Sequence, residues 1–305
     1  MGYNIPFYAV PFLLDYENDL LYNYSMEKLV IKVADVVGEM KISDYLKRKC
    51  GFSTALITKV KYGGVSVSGE TVTMRKAVKV GDVIEISLPE EKNEDILPID
   101  IPLNIVYEDE YMLVVNKPCG MPTHPAKTVK VPTLANAVVN YIKGNFIFRA
   151  INRLDSGTSG LVIIAKNAYS AAKLGRAMKM GEIRKKYLAL VSGIPTPCEG
   201  RIDAPIEREY EGSLKRVVRE DGKESITDYK VICEHGENAL CELTLHTGRT
   251  HQIRVHMAHI GHPLLNDFLY GVDNRGTYFL HCCEITLPHP KTNLPFTLRC
   301  EREIE

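Results

Sequence analysis

Net charge is the first thing this 305-residue chain lacks. Thirty-eight Lys and Arg stand against thirty-eight Asp and Glu. The total therefore favours no particular partner, and any nucleic-acid surface must come from local segregation of charge. Metal- or disulfide-forming cysteine spacing is missing too. The eight cysteines (Cys50, Cys119, Cys198, Cys233, Cys241, Cys282, Cys283 and Cys300) contain no CxxC pair. They read as small buried hydrophobes in a reducing cytosol. Long apolar runs are also scarce. The stretch Ile5–Leu14 near the N-terminus is too short for a membrane span, carries Pro6 and Pro11, and follows no basic segment. These features predict a cytoplasmic protein with no membrane partner, and a monomer. With 45% hydrophobic and 25% charged residues, the chain is long enough for one large domain and one small one.

Residues 1–25 are aromatic-rich and poorly patterned, and Met26 opens a cleaner segment. The stretch before Met26 is either a native extension or a translation of upstream sequence. From Lys41 to Leu88 the pattern predicts a helix from Ile42 to Cys50, stopped at Gly51. A second helix follows, capped by Ser53 and ended at Gly63. Val65 and Val67 alternate with serines, Ser68-Gly69 turns the chain, and Val83, Ile84, Ile86 and Leu88 form a closing strand. This segment holds nine basic residues against four acidic ones, a local surplus concentrated on the two helices. The acidic, proline-bounded run PEEKNEDILPIDIP then reads as a linker.

Beyond it strands and helices alternate without an internal repeat. Strands are predicted over Leu103–Val106, Met112–Val115 and Leu161–Ala165. Helices are predicted over Pro132–Ile142, from an Asn167 cap to Met180, and from a Thr250 cap to Ile260. Four islands in this part carry chemistry. The first, Asn116 to Pro125, is a rigid turn-rich loop after an apolar strand. The second, Ile151 to Leu161, sets Asp155 between Arg153 and a run of small hydroxyl residues, just before a buried strand. A strand that fixes a carboxylate, a loop that exposes it and cations that keep it ionised would suit a reactive group. A loop Asp is otherwise a turn or cap residue. The third island, Glu182 to Gly193, runs Arg184-Lys185-Lys186 into a strand whose first aromatic, Tyr187, faces either a pocket or the core. The fourth, Leu243 to Met257, turns through Gly248 into a helix with Arg249, His251 and Arg254 around its first turns. Free N–H groups and added cations there can hold an anion.

Taken together, K-P-x-G-x-x-x-H-P, R-L-D-x-x-T-S-G, K-K-Y, G-R-T-H-Q-I-R-V-H, G-H-P-L-L-N-D-F-L-Y-G and L-H-C-C-E-I-T-L-P-H-P resemble the RluA-type family of RNA pseudouridine synthases, in order, over residues 100–295. The segment before them resembles an S4 RNA-binding domain. The resemblance implies an α+β fold, with the catalytic domain on a mixed, mostly antiparallel sheet preceded by a small S4-like α/β module. Residues 1–25 would be the extension, 26–90 the S4-like domain, 91–102 the linker and 103–305 the catalytic domain. It also implies roles. Asp155 matches the essential aspartate, Arg254 the arginine paired with it, and Tyr187 the tyrosine against the target base. Arg153 matches the arginine that displaces the flipped nucleotide, with Arg249, His251 and Lys186 as further RNA-binding positions. Thr158 and Leu280 would line the pocket. The implied partner is structured RNA, with large-subunit ribosomal RNA favoured over transfer RNA, and no cofactor is called for.

Two positions depart from the family pattern. Asn152 stands where His is usual, and either packs in its place or alters substrate choice. Asn266-Asp267 replaces a commoner Gly-Asp. His256, His259 and His262 invite a zinc reading, but Gly261-Pro263 ends the helix before the third and no compact fourth ligand follows. They read instead as packing or RNA-facing residues. A non-catalytic RNA-binding factor would lack the Asp or Arg. A glycoside hydrolase would need a second carboxylate, which the motifs do not supply.

Overall fold

The Val-Ser-Val and Val-Ile-Glu-Ile alternations become strands with one apolar face, as a period of two requires. In a computed structural model, residues 28–36, 38–52, 54–87, 96–125, 131–143, 146–271 and 277–301 are described. The extension 1–25 and the proposed Ser53 cap lie outside these residues. Strands β1 (Lys28–Lys32), β2 (Met40–Lys41), helices α1 (Ile42–Arg48) and α2 (Thr54–Gly63), then β3 (Val65–Val67), β4 (Glu70–Val72), β5 (Ala77–Val78) and β6 (Val83–Ser87) make the N-terminal unit. Its main sheet has the order β1-β6-β3-β4, with β2 and β5 paired separately. Ile42, Leu46, Val60, Ile84 and Ile86 are fully buried between helices and sheet. Gly64, not Gly63, takes the left-handed position after α2.

The remainder follows as β7 (Ile105–Glu108), β8 (Met112–Lys117), α3 (Leu134–Ile142), β9 (Ser159–Ala165), α4 (Ala168–Lys179), β10 (Arg184–Ser192), β11 (Glu199–Asp203), β12 (Ile206–Arg208), β13 (Arg216–Val218), β14 (Ile226–His235), β15 (Asn238–Leu245), α5 (Gln252–His259), β16 (Leu280–Pro288) and β17 (Pro295–Arg299). One long sheet runs β11-β14-β15-β10-β16-β9-β8-β7, with β17 on the far half of β16. Every ladder in it is antiparallel except β16–β9, where His281 pairs with Ser159 and Cys282 with Gly160. The fold is thus α+β on a mixed, mostly antiparallel sheet. Buried side chains of β8, β9, β10 and β16 form its core with α3, α4 and α5.

Helix caps follow the local chemistry. Thr133 and Asn136 form a reciprocal capping box on α3, and Asn167 caps α4 by accepting the Ser170 N–H. Helix α4 serves both parts of the chain: Tyr169 packs into the N-terminal core, its ring 5.4 Å from Phe52. Residues 96–102, the second half of the proposed linker, lie along α3. Asn136 donates to the Leu97 carbonyl and the Ile99 N–H donates to Asn136. Among the described residues no helix is long and apolar enough to cross a membrane.

The turn between β7 and β8 depends on one carboxylate. Asp109 accepts the N–H groups of Tyr111 and Met112 at 2.7 and 2.8 Å, the Tyr107 hydroxyl at 3.0 Å and His289 Nε2 at 2.6 Å. Burial works against its ionisation, but these hydrogen bonds prevail and hold its pKa below the usual carboxylate value. Its contribution is therefore present above the ordinary carboxylate range and lost as pH falls through the lowered folded value. Asp109→Ala is expected to cost about 2 kcal/mol at pH 7 and to flatten the acid limb of a denaturant-midpoint series measured from pH 7 to 3.

Candidate active site

The Asp155 loop is clamped from both sides by the first island. Thr123 Oγ1 donates to the Leu154 carbonyl at 2.8 Å and accepts the Leu154 N–H at 3.2 Å. The Gly120 N–H donates to the Ser156 carbonyl at 2.7 Å, and Cys119 Sγ lies 3.1 Å from the Gly157 carbonyl. Lys117 is fully buried, and its ammonium donates to the carbonyls of Pro118 and Met121 at 2.9 and 2.6 Å and of Ser156 at 3.4 Å. A buried cation is stable only when so surrounded. The turn-rich loop is thus a brace for Asp155, a role its residue types alone did not disclose.

The glycines of the second island have steric causes. A Cβ on Gly157 would sit 2.7 Å from the Tyr278 ring and hydroxyl. One on Gly160, already at φ +112, would sit 2.4 Å from the Cys282 carbonyl oxygen. The first glycine admits an aromatic ring over the loop, and the second lets β9 meet β16 at the parallel junction. Asn152 is buried and turned away from the cleft. Its Nδ2 donates to the Leu161 carbonyl at 3.0 Å and its Oδ1 accepts the Ile163 N–H at 2.8 Å. In place of the usual His it clips the loop to β9.

Asp155 keeps 26% of its side chain exposed, and its charge is felt at four groups around it: Tyr187, His251, Arg254 and Tyr278. Tyr187 is buried on β10 opposite Cys282 of β16. Burial above all, then Cys282, raises its pKa well above the ordinary phenol value. Tyr278 is pushed up to about 12, chiefly by burial. Both phenols are neutral donors across the physiological range. His251 Nε2 lies 3.8 Å from Asp155 Oδ2.

Arg254 is placed differently from the resemblance's implication. Its Nε and Nη2 donate to the two oxygens of Asp267 at 2.7 and 2.6 Å, a bidentate pair in which both groups are buried. The guanidinium lies 4.6 Å from the Tyr278 ring centre and 5.0 and 5.5 Å from those of Tyr270 and Phe268. It acts on Asp155 through space, and its fork belongs to Asp267. Asn266 takes φ +63, the left-handed conformation that glycine supplies elsewhere, so the Asn-Asp turn brings the carboxylate to the same use.

Of the remaining expected residues, Arg153 is exposed beside His124, and Leu280 is buried at the start of β16. Arg249 is exposed, with its Nε on the Glu224 carbonyl. Lys186 is not brought to the site. Strand alternation turns it to the opposite face, where it pairs with Glu242 at 3.2 Å. Lys185 shares the Tyr187 face instead. It is buried, its pKa is lowered chiefly by that burial, and its ammonium lies 3.6 Å from where a Cβ on Gly248 would stand. The two-residue period could have told Lys185 from Lys186. Thr250 does not cap α5. His251 occupies that position at φ +58, and the Gln252 side chain takes the Arg249 N–H. His256 is a core residue with its ring nitrogens on Thr227 and the Ala204 carbonyl. No group of three His, Cys, Asp or Glu among the described residues could hold a metal.

The family model for RNA pseudouridylate synthase matches residues 111–259. The uncharacterized RNA pseudouridine synthase YjbO of Bacillus subtilis (strain 168) is 35% identical over 261 residues, 83% of this chain and 92% of that one. Ribosomal large subunit pseudouridine synthase D of Zymomonas mobilis subsp. mobilis is 37% identical over 234 residues, 72% of this chain and 73% of that one. Among solved structures, human RNA pseudouridylate synthase domain containing 1 superposes with a TM-score of 0.55 at 30% identity, covering 64% of this chain and 82% of that one. The chain belongs to the RNA pseudouridine synthase family and is an isomerase of uridine in RNA.

Proposed function

We propose that this enzyme converts uridine to pseudouridine in large-subunit ribosomal RNA, with Asp155 as the essential group. The observation that carries the reading is one partly exposed carboxylate on a doubly clamped loop, with His251 3.8 Å away and its charge felt at Tyr187, Arg254 and Tyr278. The relatives named for ribosomal large subunit RNA support the substrate class over transfer RNA.

The chemistry explains the arrangement. The target uridine must leave its stack before its C1′ can be reached. The N1–C1′ bond then breaks, the base turns, C5 joins C1′, and C5 loses its hydrogen. Asp155 serves either as nucleophile at C1′ or as base at C2′. Tyr187, beneath it, meets the base with a neutral hydroxyl. Arg153 is the exposed cation that fills the vacated place in the RNA, while the exposed Arg249 meets the phosphates around it. Thr158 and Leu280 shape the wall through Tyr278 and β16. No oxidation state changes and no group is carried, so no cofactor is used.

The N-terminal unit is the RNA grip, with an S4-like order of helix, helix and sheet. Lys47 and Arg48 project from the exposed end of α1. Each phosphate contact contributes roughly 0.7–0.9 to the slope of log affinity against log salt. Changing both residues to Gln is expected to flatten the slope by about 1.5 in filter-binding titrations on a large-subunit RNA transcript. An unchanged slope would remove this face from the interface.

The reading itself is tested by tritium release from large-subunit ribosomal RNA and from bulk transfer RNA, each labelled as 5-tritiated uridine. Release from the first and not the second is the expected result. Release from transfer RNA alone would replace the substrate.

A further inference from the structure

His251 is held in a conformation that its own chemistry does not explain. A non-glycine residue at φ +58 is strained, and the side chain makes no capping bond to α5 in return. The ring is only 15% exposed. Its Nδ1 lies 2.8 Å from the Tyr270 hydroxyl, which stands edge-on at a centroid distance of 5.7 Å. Its Nε2 points to Asp155 Oδ2 at 3.8 Å. Both nitrogens therefore face protein groups, and neither is offered to a phosphate.

The hydrogen bonds around Tyr270 favour one tautomer of the ring, because only that one gives the hydroxyl proton an acceptor. The Tyr270 hydroxyl accepts the Arg216 backbone N–H at 2.9 Å. Its single proton then goes to the other neighbour, His251 Nδ1. An Nδ1 that accepts leaves the ring proton on Nε2, facing the carboxylate. Burial first, then Arg254 and Arg216, favours the neutral ring, with Asp155 opposing them.

We propose that His251 is the positioning residue of Asp155: its Nε2–H holds one carboxylate oxygen, and Tyr270, itself set by the Arg216 backbone, fixes the tautomer that makes this possible. A separation of 3.8 Å is longer than a hydrogen bond, and catalytic contacts of this length often tighten only in the Michaelis complex. The Tyr270 ring also covers Arg254, and its N–H rests on Asp267 at 3.2 Å. The Arg254–Asp267 pair thus sets the position of the tyrosine that sets the histidine. His251 acts in this way on the same Asp155 that the proposed function makes essential, so the inference rests on that reading.

Two measurements test it, and only the second needs turnover. Nitrogen-15 spectra of histidine-labelled protein without RNA are expected to show His251 as the Nε2–H tautomer, and Tyr270→Phe is expected to mix the two tautomers. An Nδ1–H ring in the wild-type protein would overturn the proposal whatever the enzyme's activity. In the kinetic arm, His251→Asn keeps a residue that tolerates the left-handed backbone and can face Tyr270, but it cannot reach Asp155. Its kcat on 5-tritiated large-subunit RNA is expected to fall roughly ten- to a hundredfold with KM within twofold. His251→Gln, whose amide nitrogen reaches the Nε2 position, is expected to recover most of the loss. A raised KM at unchanged kcat in His251→Asn would make His251 an RNA contact and overturn the positioning role. If the wild-type enzyme released no tritium, the proposed substrate would fail, and the spectra would still decide the tautomer.

Discussion

The Asp155→Asn protein is expected to fold, to bind large-subunit RNA within about twofold of wild type, and to release tritium at less than roughly one ten-thousandth of the wild-type rate. The amide has the shape of the carboxylate, and the loop is fixed by backbone contacts that do not involve the side chain: Thr123 on Leu154, Gly120 and Lys117 on Ser156. Stability should therefore change little. What is lost is the charge that attacks C1′ or takes a proton from the sugar, and a neutral amide does neither at a useful rate. Combining Asp155→Asn with His251→Asn should be no worse than Asp155→Asn alone, because residues acting as one unit are non-additive. Measurable turnover by Asp155→Asn would move the chemistry to another group.

The largest effect on stability is expected at Asp267. It is fully buried, holds both arms of the Arg254 fork, and accepts the N–H groups of Leu269 and Tyr270. Asp267→Ala would leave a buried guanidinium without its counter-charge, at a cost of about 3–5 kcal/mol. Thermal or urea unfolding measures this directly. Activity should fall as well, since the Tyr270 ring that rests on this pair also fixes His251. Asp267→Asn keeps one acceptor for the fork and is expected to cost less than Asp267→Ala. Equal unfolding midpoints for Asp267→Ala and wild type would mean that Arg254 finds another partner, Asp155 being the nearest carboxylate that acts on it.

What could be read from sequence divides by the range of the interactions. Caps, turns and strand alternation act over a few residues, and accordingly α3, α4, β8, β9 and β10 stand close to where the pattern puts them. The order of motifs carries the family and its α+β fold in the same way. The partners of the site residues come from far along the chain, through ladders that no local pattern encodes. Tyr278 reaches the Asp155 loop because β16 runs parallel to β9 at His281 and Cys282. Arg254 goes to Asp267 because α5 is followed by a turn that buries a carboxylate beneath it. Lys117 looked like part of a rigid loop, and hydropathy gives no sign that a lysine will be fully buried on carbonyls. Lys186 is the exception, since its exclusion from the site follows from a period of two that was already legible.

If Asp155 makes pseudouridine in large-subunit ribosomal RNA, that modification must depend on this one carboxylate in the cell. Pseudouridine mapping of that RNA in cells lacking the protein, and in the same cells supplied with the wild-type or the Asp155→Asn chain, tests this most directly. One or more pseudouridines are expected to disappear from large-subunit RNA in the deletion, return with the wild-type chain and stay absent with Asp155→Asn. An unchanged large-subunit map in the deletion, or restoration of the lost sites by Asp155→Asn, would contradict it.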